Sequence, residues 1–301
     1  MKQNKKLILQ YCAGVLPLIM LLNITQALAQ EVMKREVNRT TEKEVTATIS
    51  ASFLDLSIIK GSSKKIVEAE FWKDKTSRQR VDFKYHLDGT TGKLLIESRN
   101  RGTRSNENIS WKDADHEKQS NKDNRWELKF TDDVPINFDI ELGAGSGDLD
   151  LTGIKVNDLR VSAGASSSTM ICTKPNEIEC RDILIESGVS KFVAEDLLNL
   201  NFEKMKFKGG VGSYRLDFGG SLLRSAEADI SVGLGTVTIY LSPDIPTRII
   251  ANDHWLSSVD IDDAFEKVRK NTYETPNFKK KDKTFTIKVE AGLGSVNVKS
   301  R

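Results

Sequence analysis

Three stretches of this chain, FKGGVGSYRLDF (207–218), ISVGLGTVTIYL (230–241) and KVEAGLGSVNVK (288–299), repeat one pattern: alternation, a Gly-x-Gly step, then alternation again. Anchored on the residue that opens each small-x-small step, units begin at Gly143, Gly164, Gly188, Gly210, Gly233 and Gly292. The intervals are 21, 24, 22 and 23 residues, followed by one of 59. Two positions further on stand Gly145, Ser166, Ser190, Gly212, Gly235 and Gly294, all small. Ser50-Ala51-Ser52 is a glycine-free echo upstream. A period of roughly 20–25 residues marks a solenoid, because a unit that cannot bury its apolar face alone is laid on the previous one.

The flanks say what the unit is made of. Before the step, apolar residues alternate with polar ones, as in Phe138, Ile140 and Leu142, or Phe285, Ile287 and Val289. After it come Tyr214, Leu216 and Phe218, or Val237, Ile239 and Leu241. A period of two is a strand with one buried face. We expect the alternation to keep one phase through the step, with Arg215, Asp217 and Tyr240 facing water, and we read GAGSGDLDL as carrying two extra residues. A corner explains the small residues, since stacked units bring corners together at about 4.8 Å and glycine accepts the backbone angles of a bend. A phosphate-cradling loop would need a helix after the glycines, and here a strand follows every time.

Around the column lie other segments. The first 29 residues read as a cleavable export signal: Lys2, Lys5 and Lys6, an apolar run to Leu22, then Ala27-Leu28-Ala29 before a cut at Gln30. Those three lysines account for the excess of 45 Lys and Arg over 43 Asp and Glu. The mature chain is therefore near neutral, which argues against a nucleic-acid partner. No later apolar run is long enough to span a bilayer, so we expect an exported protein, periplasmic or at the cell surface, with no stable membrane insertion. Residues 30–130 read as an N-terminal β region with a first rung, a hairpin at Asp88-Gly89 and a polar loop over 99–125 that holds Trp111. Residues 131–301 read as the solenoid repeats, interrupted by an insertion over 243–284 with a short helical turn from Asp263 to Arg269.

Few residues carry chemistry. Cys172 and Cys180 either close a disulfide loop or remain free, buried thiols. No third cysteine or nearby histidine completes a metal set, and no cofactor motif is present. Asp260, Asp262, Asp263 and His254 come nearest to a constellation, yet read as a solvated loop, and His86 and His116 have no catalytic company. A polysaccharide-cleaving β-helix would need paired carboxylates, but Glu141, Asp148, Asp150, Glu186 and Asp217 are spread singly over several units. The residues thus predict an all-β solenoid of stacked rungs of about 20–24 residues that is not an enzyme.

At FDIELGAGSGDLDLTGIKVNDLRVSAGASSS, FKGGVGSYRLDFGG, VGLGTVTIYLSPDIPTRI and KVEAGLGSVNVK the chain resembles the toast-rack family, related to the LiaF-type cell-wall-active antibiotic response proteins and the DUF4097 adhesins. The resemblance spans roughly residues 45–301. It implies a right-handed β-solenoid and a non-catalytic envelope role, either adhesin-like binding of an envelope protein or cell-surface polymer, or an accessory part in the envelope stress response. LiaF-type proteins carry a membrane-spanning region before this domain, where this chain has its cleavable signal. A polysaccharide-acting β-helix enzyme and a passive spacer are the alternative readings, and self-association is open because solenoid ends expose strand edges.

Overall fold

The computed structural model describes residues 31–73, 79–100, 124–252 and 257–301. The segment read as an export signal, Trp111, His116 and His254 lie outside the described residues. In chain order the strands are β1 (Glu31–Asn38), β2 (Glu44–Ala51), β3 (Leu54–Lys60), β4 (Lys65–Lys73), β5 (Gln79–Asp88) and β6 (Thr91–Asn100). There follow β7 (Arg125–Phe130), β8 (Ile136–Asp150), β9 (Val156–Ile171), β10 (Cys180–Glu195), β11 (Phe202–Asp217) and β12 (Ala226–Leu241). The last are β13 (Thr247–Asn252), β14 (Ser257–Ile261), β15 (Glu266–Arg269), β16 (Thr272–Glu274) and β17 (Phe285–Ser300). All belong to one sheet that winds into a β-solenoid.

Each central rung is one bent strand of 15 or 16 residues, and β8, β9, β10, β11, β12 and β17 stack in parallel register. On one side of β8 the split rung β2 and β3 pairs with its two halves, and β6 and β7 pair in turn with β2 and β3. On the other side the order departs from the sequence. β17 pairs with β12 on one edge and with β13 and β14 on the other. The interval of 59 residues therefore contains the terminal rung, and the last strand is slotted in before it. The short helical turn anticipated from Asp263 to Arg269 is instead a turn leading into β15, which pairs with β16 in an antiparallel hairpin.

The corner corrects the expected phase. In β11, Phe207 and Gly209 point inward, Gly210 and Val211 both point out, and Gly212 and Tyr214 point in again. Two successive outward residues turn the chain convexly and shift the alternation by one, which one constant phase cannot do. Nor does GAGSGDLDL hold extra residues: Ala144 pairs with Ala165 and Leu149 with Met170 without a slip. Gly147 occupies the slot that Ser168, Phe192 and Tyr214 fill on the next rungs. Inside the bend, the residue before the corner faces that slot, and the two trade volume. Leu142 faces Gly147, whereas Gly209 faces Tyr214, and a Cβ on either glycine would collide with its opposite number. Close packing leaves no slack for both positions to be large.

The core runs as a column between the two arms of the bent strands, closed on its third side by the return loops, which add Leu151, Ile154, Leu197, Leu198 and Leu200. Aromatic rings interlock within and between rungs, Phe207 with Tyr214 across the corner of β11 and with Phe192 on β10, and Phe285 with Phe202 and Phe218. Each such ring contributes about 1.5–3 kcal/mol by burial. The loops are tied by asparagines. Asn176 Nδ2 donates to the Val156 carbonyl at 2.7 Å and the Leu200 carbonyl at 3.3 Å, and Asn176 Oδ1 accepts from Val156 N. Asn199 and Asn201 repeat the device on the adjoining turn, donating to the carbonyls of Cys172 and Ile178.

Strands cover the first end of the column and part of the other. At the first, β5 runs antiparallel to β6 and β4 to β7, with the charged, exposed β1 outermost on β4. Charge on an edge strand discourages further pairing. At the other, β16 lies against the outer edge of β13 and β15 against β16.

Candidate functional site

The register places the predicted corner residues in two ladders. Gly143, Gly164, Gly188, Gly210, Gly233 and Gly292 follow one another up the column, as do Gly145, Ser166, Ser190, Gly212, Gly235 and Gly294. The second ladder turns inward, and there glycine is a geometric need: Gly235 and Gly294 have φ of 134° and 141°, and a Cβ on either would overlap a carbonyl oxygen of the rung below. The first ladder faces out. Its bare backbone floors a shallow groove of about 350 Å³, walled by Glu141, Ser162, Glu186 and Lys208.

Between the ladders sits the residue the motif leaves free, and the fold makes it the most exposed apolar feature of the rungs. Val189 pairs with Val211, Val211 with Leu234 and Leu234 with Leu293, forming one aliphatic row. They are 66%, 46%, 47% and 45% exposed. The neighbouring glycines explain this, because a residue without a side chain leaves one flank of each aliphatic group uncovered. Ala144 and Ala165 continue the row on the preceding rungs. Phe53, held at positive φ with its N–H on the Ala144 carbonyl, ends it 52% exposed. At about 4.8 Å per rung, the aliphatic part is about 14 Å long and the whole row about 29 Å.

The two flanks differ. Beyond the inward ladder runs a shelf of small hydroxyls, Ser167, Ser213, Thr236 and Ser295, with Lys191 among them, and Thr236 and Ser295 share a hydrogen bond of 3.0 Å. Across the groove the outward side chains are charged, and some are tied rung to rung, as Lys208 is to Glu186 at 2.9 Å. An apolar row between a hydroxyl shelf and a charged face has the layout of an interface core and its rim.

The remaining candidates are dispersed. Cys172 and Cys180 are free and buried, and burial pushes the Cys172 thiol up to about 12 and the Cys180 thiol higher. Asp217 does not face water as expected. Its carboxylate is buried, accepts from Gly219 N at 2.8 Å and meets Arg301. Glu141 accepts from Ser50 Oγ, Asp150 from Thr152 N, and Glu186 is held by Lys208. Asp262 binds Ala264 N and Ser300, while Asp260 and Asp263 point to solvent, as does His86. Among the described residues no three His, Cys, Asp or Glu side chains gather as a metal site, and no helix is long and apolar enough to cross a membrane.

Sequence reasoning fixed on the small residues and passed over the one between them, although its drift from Ala144 and Ala165 to Val189, Val211, Leu234 and Leu293 was legible. The loop asparagines gave no periodic signal.

Among solved structures, one from Clostridium sporogenes with a cell-adhesion designation is 18% identical, with a TM-score of 0.46 over 90% of this chain and 100% of its own. An adhesin-designated structure from Bacteroides fragilis is 10% identical, with a TM-score of 0.37 over 90% and 99%. At these values neither bears on what this chain binds. No curated protein matches. The model of the N-terminal domain of toast_rack (DUF2154) matches residues 26–193. That match covers more than half of the sequence and includes the split first rung and the corners of β8, β9 and β10, so the chain belongs to the toast-rack family.

Proposed function

We propose that this protein is an exported, non-catalytic binding module that offers its corner row to an apolar groove on another protein of the cell envelope. The observation that carries this reading is the continuity of Val189, Val211, Leu234 and Leu293 on four successive rungs. Monomeric proteins seldom leave a contiguous apolar row uncovered without an interaction to use it. A convex row fits a groove better than a flat face, and the hydroxyl shelf beside it supplies adaptable hydrogen-bonding partners. That the carboxylates once considered for glycan cleavage are engaged in structural contacts or dispersed supports a role without chemistry.

Photo-crosslinking in cells tests it, with the reactive side chain placed at Val211, at Leu234 and, for comparison, at Lys204 on the charged face. The expected result is one protein adduct at both row positions and none at Lys204, lost when Leu293→Glu is added. Equal adducts at all three positions, none at all, or a second copy of this chain as the adduct would overturn the proposal. N-terminal sequencing of the mature protein, expected to begin at Gln30, tests export.

A further inference from the structure

The outermost element at the end of the column is the β15–β16 hairpin, and, together with the segment that follows, it is basic. Between Glu266 and Lys283 stand seven cations, Lys267, Arg269, Lys270, Lys279, Lys280, Lys281 and Lys283, against three acids. All seven are exposed. Some outward cations on the rungs are neutralised, Lys208 by Glu186, Lys288 by Glu227 and Arg181 by Asp158. Among the described residues none of the seven cap cations has an ion pair. Positive charge left unpaired on one end of a nearly neutral protein produces a field that draws polyanions.

The charge also converges. A cleft of about 450 Å³ between β13, the hairpin and the following loop is lined by Arg248, Val268, Arg269, Glu274 and Lys279, among others. Its single acid is already taken. Arg248 grips Glu274 Oε1 through Nε at 2.8 Å and Nη2 at 2.7 Å, and its guanidinium lies over the Phe278 ring at 4.3 Å. That pair cancels within the cleft, leaving Arg269 and Lys279 to face whatever enters. Val268 stands between Lys267 and Arg269 in sequence, 41% exposed on a strand exposed at every residue. An exposed apolar side chain flanked in sequence by two cations suits the headgroup boundary of an anionic bilayer, where the cations meet phosphates and the apolar group goes slightly deeper.

We propose that this cap docks the column end-on to an anionic phospholipid surface, with a headgroup phosphate in the cleft between Arg269 and Lys279. The inference is independent of the corner row, which lies along the side of the column.

Sedimentation of the purified mature protein with vesicles tests it. Vesicles of phosphatidylglycerol and phosphatidylcholine should bind it, pure phosphatidylcholine vesicles should not, and added salt should release it. Arg269→Glu with Lys279→Glu should weaken binding at least about tenfold, since each cation near such a surface carries a sizeable share of the attraction. Val268→Asp should weaken it further. Both changes are at exposed positions, and an unchanged melting temperature separates lost binding from lost folding. A third arm measures melting in inorganic phosphate. A shift there with no vesicle binding would mark a small-anion cleft and overturn the membrane proposal. Equal binding to both vesicle types, no binding to either, or full binding by the double variant would do the same.

Discussion

Arg301 lies over Asp217, its Nη1 3.1 Å from the Asp217 Oδ1, and so ties the residue after β17 to a carboxylate two rungs away. The same Nη1 reaches Asp196 Oδ1 at 2.7 Å, and the Arg301 N–H donates to the Leu241 carbonyl. One residue thus fastens β11, β12 and the return loop before β11 to the strand that arrives out of order.

The sign of the resulting pH dependence follows from Asp217. Burial raises its pKa above the ordinary 3.8, and Arg301 opposes the rise. Because the folded value is the higher one, the group costs stability above it, and the cost fades as pH falls toward 3.8. Arg301→Ala removes the opposing charge. It should destabilise the fold by about 1–2 kcal/mol at neutral pH, a modest figure because solvent screens the half-exposed guanidinium. The loss should shrink between neutral pH and pH 4, because the raised pKa lets Asp217 take up its proton at a higher pH than an ordinary aspartate. Urea unfolding of both proteins at the two pH values measures this, and a pH-independent difference would show that the ion pair is not its source.

Gly235→Ala should cost about 2–4 kcal/mol, because φ of 134° is hostile to any side chain and the Cβ would overlap the Gly212 carbonyl. Gly233→Ala, on the outward ladder with a Cβ 3.0 Å from the Gly210 oxygen, should cost clearly less. Thermal melts of the two variants give the ordering, and the reverse order would refute this account of the corner.

Asn176→Ala should lower stability by about 2–4 kcal/mol, since it strands the Val156 N–H and two carbonyls in a buried loop. The half-buried Asn157, whose side chain bonds Asn137, is the control and should cost under about 1 kcal/mol when changed to alanine. Comparable losses at both sites would contradict the buried ladder.

The cysteines give a chemical readout. Burial holds both thiols protonated and out of reach, so iodoacetamide at pH 8 should leave the native protein unlabelled. Unfolding without reductant should then expose both Cys172 and Cys180 to labelling, read by intact mass. Labelling that requires reductant would mean that the pair is bridged.

What the sequence determined alone was the unit. Alternation in Phe285, Ile287 and Val289, the Gly233-Leu234-Gly235 step and the spacing of about 22 residues are short-range facts, set by backbone sterics and by which face must leave water. They were enough for an all-β solenoid. The tertiary structure decided how units meet. That β17 enters between β12 and β13 depends on pairings across 59 residues of sequence, which no local pattern encodes. The phase shift at the corner, the turning of Asp217 under Arg301, the row through Val189 and Leu293, and the convergence of Arg269 and Lys279 all arise when residues distant in sequence become neighbours about 4.8 Å apart. A single strand specifies which of its side chains can be buried, but only its stacked neighbours settle what those on the outside stand beside.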